Sequence, residues 1–394
     1  VATVDRARPL SHAELDVTRL LLMHGPSSRA ALGERLGFSP ASMTRLTRAL
    51  LDLGIVLENG NGEERQPAPG AGAGRPAKVL SINPAARTVL GCKLTGDTAY
   101  AVVCDLAGTV LASAKAPLPQ ANTDGEVPVG KVVSVVARLA RKLARDRTLD
   151  AVGISLGGIV RPDGVVQEGS FLGWRDVDLT RLLRERLDVP VITTNDVTAL
   201  VREQLWLGAG RGRSTFGIVT VGAGIGIGVV REGVVVERLV DNGQLLTHSP
   251  VDGRGPRCGI GHRGCVSSYL DQWEIEARAT ESFGRPMSFD DVVAAAADGD
   301  RRAARLLDAA ARALGHLVAT LAGALQTDRI LLAGEGVEPV AGRPAMRETI
   351  ADRMQSGPGN TATYELDVTV EPLTFEDWAR GAAVTASQFA LAGR

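Results

Sequence analysis

The joint Gly37-Phe38-Ser39-Pro40 constrains this chain more than any other stretch, because it stops one helix and starts the next with almost nothing between them. Glycine suits the left-handed residue that closes a helix, serine is a preferred N-cap, and proline fits the first helical position, where no amide donor is needed. Upstream, Ser11 followed by Glu14 is a capping-box pattern, and Leu15, Leu20, Leu21 and Leu22 recur before Gly25-Pro26 breaks the run. Ser28 caps a second helix carrying Ala31, Leu32 and Leu36. Short helices around so tight a joint predict a helix-turn-helix. On the third helix Met43, Leu46 and Leu50 form the inward stripe, which leaves Ser42, Arg45 and Arg48 on the opposite face with Thr44 and Thr47 beside it.

Gly54 ends that helix; residues 55–58 and 78–82 read as a strand and its return, and the Gly- and Pro-rich stretch between them reads as a wing carrying Arg65 and Arg75. A formal net charge of −1 excludes a uniformly basic polyelectrolyte, so any contact with DNA has to come from a local patch. Ser39, Ser42, Thr44, Arg45, Thr47 and Arg48 on the helix and Arg75 on the wing are the candidates for groove and phosphate contacts with a double-stranded operator. A solvated polar face would explain the third helix alone; the two helices before it and the wing after it favour DNA.

Beyond Asn83-Pro84, strand-like runs at 90–94, 99–105 and 110–114 precede a helix over 131–145 and a strand at 151–155. A second set follows: a strand at 191–194, a helix over 197–207, and strands at 215–221, 226–230 and 234–238. Helices over 290–297 and 301–325, a strand at 329–333 and a closing helix over 376–391 complete the pattern. Such alternation predicts an α/β body in two similar halves. The expected domains are 1–83, 84–196 completed by a helix within 376–394, and 197–375. Four cysteines, Cys92, Cys104, Cys258 and Cys265, are too few and too unevenly placed for a disulfide framework. With no charged-then-apolar leader and no run of roughly 18–20 apolar residues, the expected setting is cytoplasmic and away from membranes.

The stretches Gly153 to Val165, Leu172 to Val177, Thr194 to Ala199 and Gly222 to Gly228 resemble successive motifs of the ROK family (repressor, ORF, kinase), and the resemblance covers nearly the whole chain. It implies an N-terminal winged helix-turn-helix followed by a two-lobed actin-like or hexokinase-like ATPase fold. It further implies a homodimer or homotetramer and a sugar or sugar derivative as effector. The winged helix is similar to that of the family's regulators, whereas its sugar kinases lack one.

The same resemblance marks what has changed. Where the family's kinases carry Asp-Ile-Gly-Gly-Thr, this chain has Lys93-Leu94-Thr95-Gly96-Asp97, so the acid that would organise Mg²⁺ is a cation. The second phosphate loop reads Gly222-Ala223-Gly224 and lacks the usual threonine; ATP and Mg²⁺ are not expected as cofactors. Gly158, Asn195, Asp196 and His248 match ligand-binding positions, Asp196 standing at the family's general base, though an Asn-Asp pair at a strand end equally caps a helix. Phe171, Leu245 and Ser267 replace an amide and two acids that hold sugar hydroxyls. The zinc positions map to His248, Cys258, Ile260 and Cys265 within the loop 248–265; isoleucine supplies no donor, and His262 is a possible stand-in.

The reading is therefore a transcriptional regulator, a repressor on a palindromic operator, whose kinase-like body is catalytically dead and serves effector sensing and assembly. The alternatives are a sugar kinase using Asp196 with an attached DNA arm, and a scaffold that binds another protein through its altered body.

Overall fold

The computed structural model describes residues 8–59, 78–237, 244–354 and 365–393. They divide into two compact units, one formed by residues 1–212 with 375–394 and the other by 213–374. The boundary falls at Gly212, so the helix over 196–206 belongs with the first body unit and not at the start of the second, where the sequence reading put it.

The first unit opens with helices His12–His24, Arg29–Leu36 and Pro40–Asp52. Each expected cap is present: the Ser11/Glu14 capping box, Ser28 accepting from the Ala31 amide, and Ser39 accepting from the Ser42 amide. Gly37 takes the left-handed conformation, φ 68°, that turns the chain between the second and third helices. Val17, Leu21, Leu32, Met43, Leu50, Ile55 and Leu80 are buried. Strands Val56–Asn59 and Val79–Ile82 pair antiparallel as the wing, and a two-residue strand, Ser27–Ser28, pairs on the far side of Val79–Ile82. Arg29 joins three elements, its Nε donating to Thr47 Oγ1 at 2.9 Å and a terminal nitrogen lying 2.6 Å from Glu58 Oε1.

The body part of this unit is a five-stranded sheet in the order Val191–Asn195, Ala151–Leu156, Thr88–Leu94, Thr98–Asp105, Val110–Pro117, parallel across the first three and antiparallel beyond. Alternation along Thr88–Leu94 sends Leu90, Cys92 and Leu94 into one core with Val132, Val136 and Ala140 of helix Val129–Leu143. It sends Val89 to the opposite face, where Ala379, Ala383 and Ala386 of helix Phe375–Ala392 pack. That contact is unusually close: a Cβ on Gly91 would stand 2.0 Å from the Ala379 carbonyl oxygen, and one on Gly153 2.0 Å from that of Ala382. A three-stranded sheet, Ile159–Val160, Val166–Gly169 and Trp174–Val177, completes this half.

The second unit has its own five-stranded sheet, ordered Val234–Val235, Ile225–Arg231, Phe216–Val221, Arg329–Ala333, Asp367–Val370. Its core gathers Val219, Ile227, Ile330 and Leu332 with Leu307, Leu314 and Leu321 of the long helix Arg301–Leu325. No helix among the described residues is long and apolar enough to cross a membrane.

Candidate DNA-reading face, ligand residues and metal loop

On helix Pro40–Asp52 the buried side holds Met43, Thr47 and Leu50, and the outer side presents Thr44, Arg45 and Arg48, all exposed, beside exposed Ser39 and half-buried Ser42. Among the described residues neither Arg45 nor Arg48 has an ion pair or hydrogen bond, which leaves both guanidinium forks open. Thr44 Oγ1 donates to Pro40 O at 2.9 Å, and the Ser39 and Ser42 hydroxyls lie 3.1 Å apart. Thr47 corrects the sequence reading. Its side chain is fully buried, its hydroxyl donates to Met43 O at 2.7 Å and accepts from Arg29, so it braces the helix instead of facing a groove. Arg75 and Arg65, the wing candidates, lie outside the described residues.

Asn195 and Asp196 sit where strand Val191–Asn195 becomes helix Asp196–Trp206. Asn195 is the N-cap: its Oδ1 accepts from the Thr198 amide at 3.1 Å while its Nδ2 donates to Gly158 O at 2.9 Å, which draws Gly158 to the same corner. Gly158 has φ 130°, and a Cβ there would stand 2.0 Å from the Glu168 carbonyl oxygen, so only glycine fits. Asp196 accepts the Lys93 ammonium directly through Oδ2. The two side chains are 13% and 8% exposed, and Lys93 Nζ also lies 5.1 Å from the centre of the Trp378 ring. The cation at the lost acid position is thus packed on to the carboxylate at the base position, an internal pairing that the sequence pattern did not disclose. Phe171 lies across this corner at 53% exposure: a Cβ on Gly157 would be 3.0 Å from its ring and 3.5 Å from Asp196 Oδ2. An apolar ring there gives a polyol no hydrogen bond.

In the second unit the turn Gly222-Ala223-Gly224 follows strand Phe216–Val221. The Ala223 amide donates to Glu335 Oε1 at 3.1 Å, and a Cβ on Gly222 would lie 2.4 Å from the same carboxylate. A backbone N–H of the kind that receives a phosphate oxygen therefore already serves a protein anion, whose charge repels another. Sequence reasoning missed Glu335; the signal was an acid between two glycines, Gly334 and Gly336, directly after strand Arg329–Ala333.

His248 belongs to this unit and faces the cysteine loop. Its Nδ1 lies 3.8 Å from Cys258 Sγ and 3.6 Å from Cys265 Sγ, and the donor atoms of His248, Cys258, His262 and Cys265 all fall within 4.8 Å of one another. The loop closes through Gly261 N–H to Cys258 O at 2.7 Å and Cys258 N–H to His262 O at 2.8 Å, which brings His262 back over the cysteines. Ile260, at the family's fourth position, is 67% exposed and takes no part. A tetrahedral zinc with sulfur at about 2.3 Å and nitrogen at about 2.0 Å sets N···S edges of about 3.5–3.6 Å. Two thiols and two imidazoles fit such an ion in kind, and the two His248–cysteine distances lie near those edges, but the 4.8 Å span of the full set, with His262 exposed, is wider than a closed tetrahedron allows, so the cluster as it stands is an incomplete zinc site. Burial, above all, raises the Cys265 pKa; a bound cation would reverse that by stabilising the thiolate.

The ROK family model matches residues 89–388 of the chain. The DNA-binding transcriptional dual regulator NagC of Escherichia coli K12 is 27% identical over 352 residues, covering 86% of this chain and 83% of NagC. A glucokinase of Thermotoga maritima is 30% identical over 287 residues, covering 68% of this chain and 89% of that enzyme. The crystal structure of a ROK-family transcriptional regulator, a homolog of the E. coli Mlc protein, superposes with a TM-score of 0.73 at 23% identity over 96% of this chain and 97% of its own. The α/β body is the actin- and hexokinase-like fold of that family, preceded by a separate small N-terminal element.

Proposed function

This chain belongs to the ROK family, and from that premise we propose that it is a DNA-binding transcriptional regulator, a repressor on a palindromic operator, whose kinase-like body senses rather than phosphorylates. The observation that carries the reading is the Lys93–Asp196 pair. A general base has to receive a hydroxyl proton, and a carboxylate holding an ammonium is occupied. The same ammonium stands where Mg²⁺ and phosphate chemistry need an acid. Glu335 adds a second obstacle at the Gly222–Gly224 turn. Against that loss, the recognition helix keeps Arg45 and Arg48 open on its outer face.

A symmetric dimer or tetramer would present one such helix per half-site, and NagC is named for DNA binding and transcriptional regulation. On the first unit, Asn195 and Gly158 are the residues an effector would contact, and the Phe171 ring beside Asp196 favours a modified or less polar sugar derivative over a free hexose. Zinc held by His248, Cys258, His262 and Cys265 would order the loop that carries His248.

Selection of binding sites from random duplex DNA with the full chain, at near-physiological salt, tests the reading. An enriched inverted repeat that disappears in an Arg45→Ala/Arg48→Ala variant is the expected result. No enrichment by a folded protein would overturn it.

A further inference from the structure

The first DNA-module helix, His12–His24, is held to the body at both of its ends. At its entry, the Leu10 amide donates to Leu391 O at 2.8 Å, and Gly393 packs against Pro9, where a Cβ would come within 2.5 Å of the ring. At its exit, Arg211 Nε donates to Met23 O at 2.8 Å and a terminal nitrogen donates to Leu22 O at 2.9 Å. The last carbonyls of a helix have no partner within it and carry the negative end of its dipole, so an arginine is a well-matched clasp.

Arg211 is itself rigidly carried. Helix Asp196–Trp206 starts at Asn195 and Asp196 and, near its other end, bears Glu203 and Gln204, both buried. Glu203 accepts from Arg380 at 2.7 Å and from Gln204 Nε2 at 2.8 Å, while Gln204 Oε1 accepts from the Ala209 amide at 2.9 Å. The amides of Gly208 and Gly210 bond back to Glu203 O and Gln204 O, and the Arg211 amide to Gly208 O. A Cβ on Gly208 would lie 2.4 Å from the Gln204 side chain, which closes the turn tightly. One helix thus has the candidate ligand residues at its first turn and, just past its last, the side chain that grips the DNA module.

We propose that Arg211 is a positioning residue for operator binding: with the Leu10–Leu391 contact it fixes the angle of the winged helix on the body, and helix Asp196–Trp206 is the strut through which events at Asn195 and Asp196 reach that angle. The proposal rests on the regulator reading above. An angle matters only when two modules of an assembly must engage one operator together; a single module on a single half-site is indifferent to it.

The test compares full-length protein on a duplex bearing the selected inverted repeat and on one bearing a single half-site, for the wild type, Arg211→Gln and Arg211→Lys. Arg211→Gln is expected to weaken binding to the inverted repeat about tenfold and leave half-site binding nearly unchanged, since only the intramolecular second contact is lost. Arg211→Lys, which can still donate to one carbonyl, is expected to recover part of the loss. Equal weakening on both duplexes would make Arg211 a DNA contact or a mere fold contact, and no change on either would leave the clasp without consequence; both overturn the proposal. Should the wild type select no duplex at all, the regulator reading fails separately, and hydrogen exchange still decides the clasp. Faster exchange across residues 12–25 in Arg211→Gln with the rest of the chain unaltered supports it, and unaltered exchange there refutes it.

Discussion

Thr47 and Arg48 are adjacent in sequence, yet one is fully buried and the other exposed, and the difference separates a brace from a candidate contact. Thr47→Val removes the acceptor of Arg29 Nε and is expected to cost about 1–3 kcal/mol of stability, with the preferred operator sequence unchanged. Arg48→Ala or Arg45→Ala should do the reverse, losing about 1–3 kcal/mol of operator binding while the melting temperature holds. Thermal melts paired with operator titrations separate the two; a shifted sequence preference in Thr47→Val would restore that residue to the interface. Lys93 poses the same kind of question in the body. Removing one partner of a buried ion pair strands the other, so Lys93→Met is expected to destabilise the chain by about 3–5 kcal/mol, and the double change Lys93→Met/Asp196→Leu to recover most of it. Urea midpoints of the three variants read this directly, and a Lys93→Met variant as stable as the wild type would show that the pair contributes little.

Elements with local signals were legible in the sequence. Ser11, Ser28, Ser39 and Gly37 announce helix ends by hydrogen bonds and backbone angles that need no distant partner, and the helix Arg301–Leu325 and strand Arg329–Ala333 appear at their expected bounds. The strand Ser27–Ser28 and the sheet built from Ile159–Val160, Val166–Gly169 and Trp174–Val177 were not, because runs so short exist only by pairing with chain far away in sequence. Side-chain pairings failed to show for the same reason: nothing near Lys93 announces Asp196, and nothing near Ala223 announces Glu335. The metal loop lies between these cases. Its cysteines were legible, but the choice of His262 over Ile260 depends on the turn at Gly261, φ 94°, which folds the histidine back. The purified chain is therefore expected to carry about one zinc per protomer by elemental mass spectrometry, and His262→Ala to lose it while Ile260→Ala keeps it. Equal retention in both variants would return the loop to a three-donor vestige.

At the scale of the whole molecule, the candidate phosphate-handling positions already have protein partners, separately in the two units: Lys93 on Asp196 in one and Glu335 at the Ala223 amide in the other. Phosphoryl transfer depends on placing metal, nucleotide and acceptor together, so on the proposed reading either contact alone would block it, and removing one leaves the other in force. The wild-type chain is expected to release no ADP above background in a coupled assay with Mg·ATP and a panel of aldohexoses and their N-acetylated derivatives. Lys93→Asp is expected to do no better, because the Glu335 carboxylate still holds the amide that a phosphate would use. Sugar-dependent turnover by the wild type, abolished in Asp196→Asn, would reverse the reading: the carboxylate would then exchange its ammonium for a substrate hydroxyl, and the DNA module would be an arm attached to a working kinase. A flat assay beside a selected inverted repeat fits one body with one remaining task, in which strict placement of the winged helix, through Arg211 and Leu10, takes the place of chemistry as what the fold must secure.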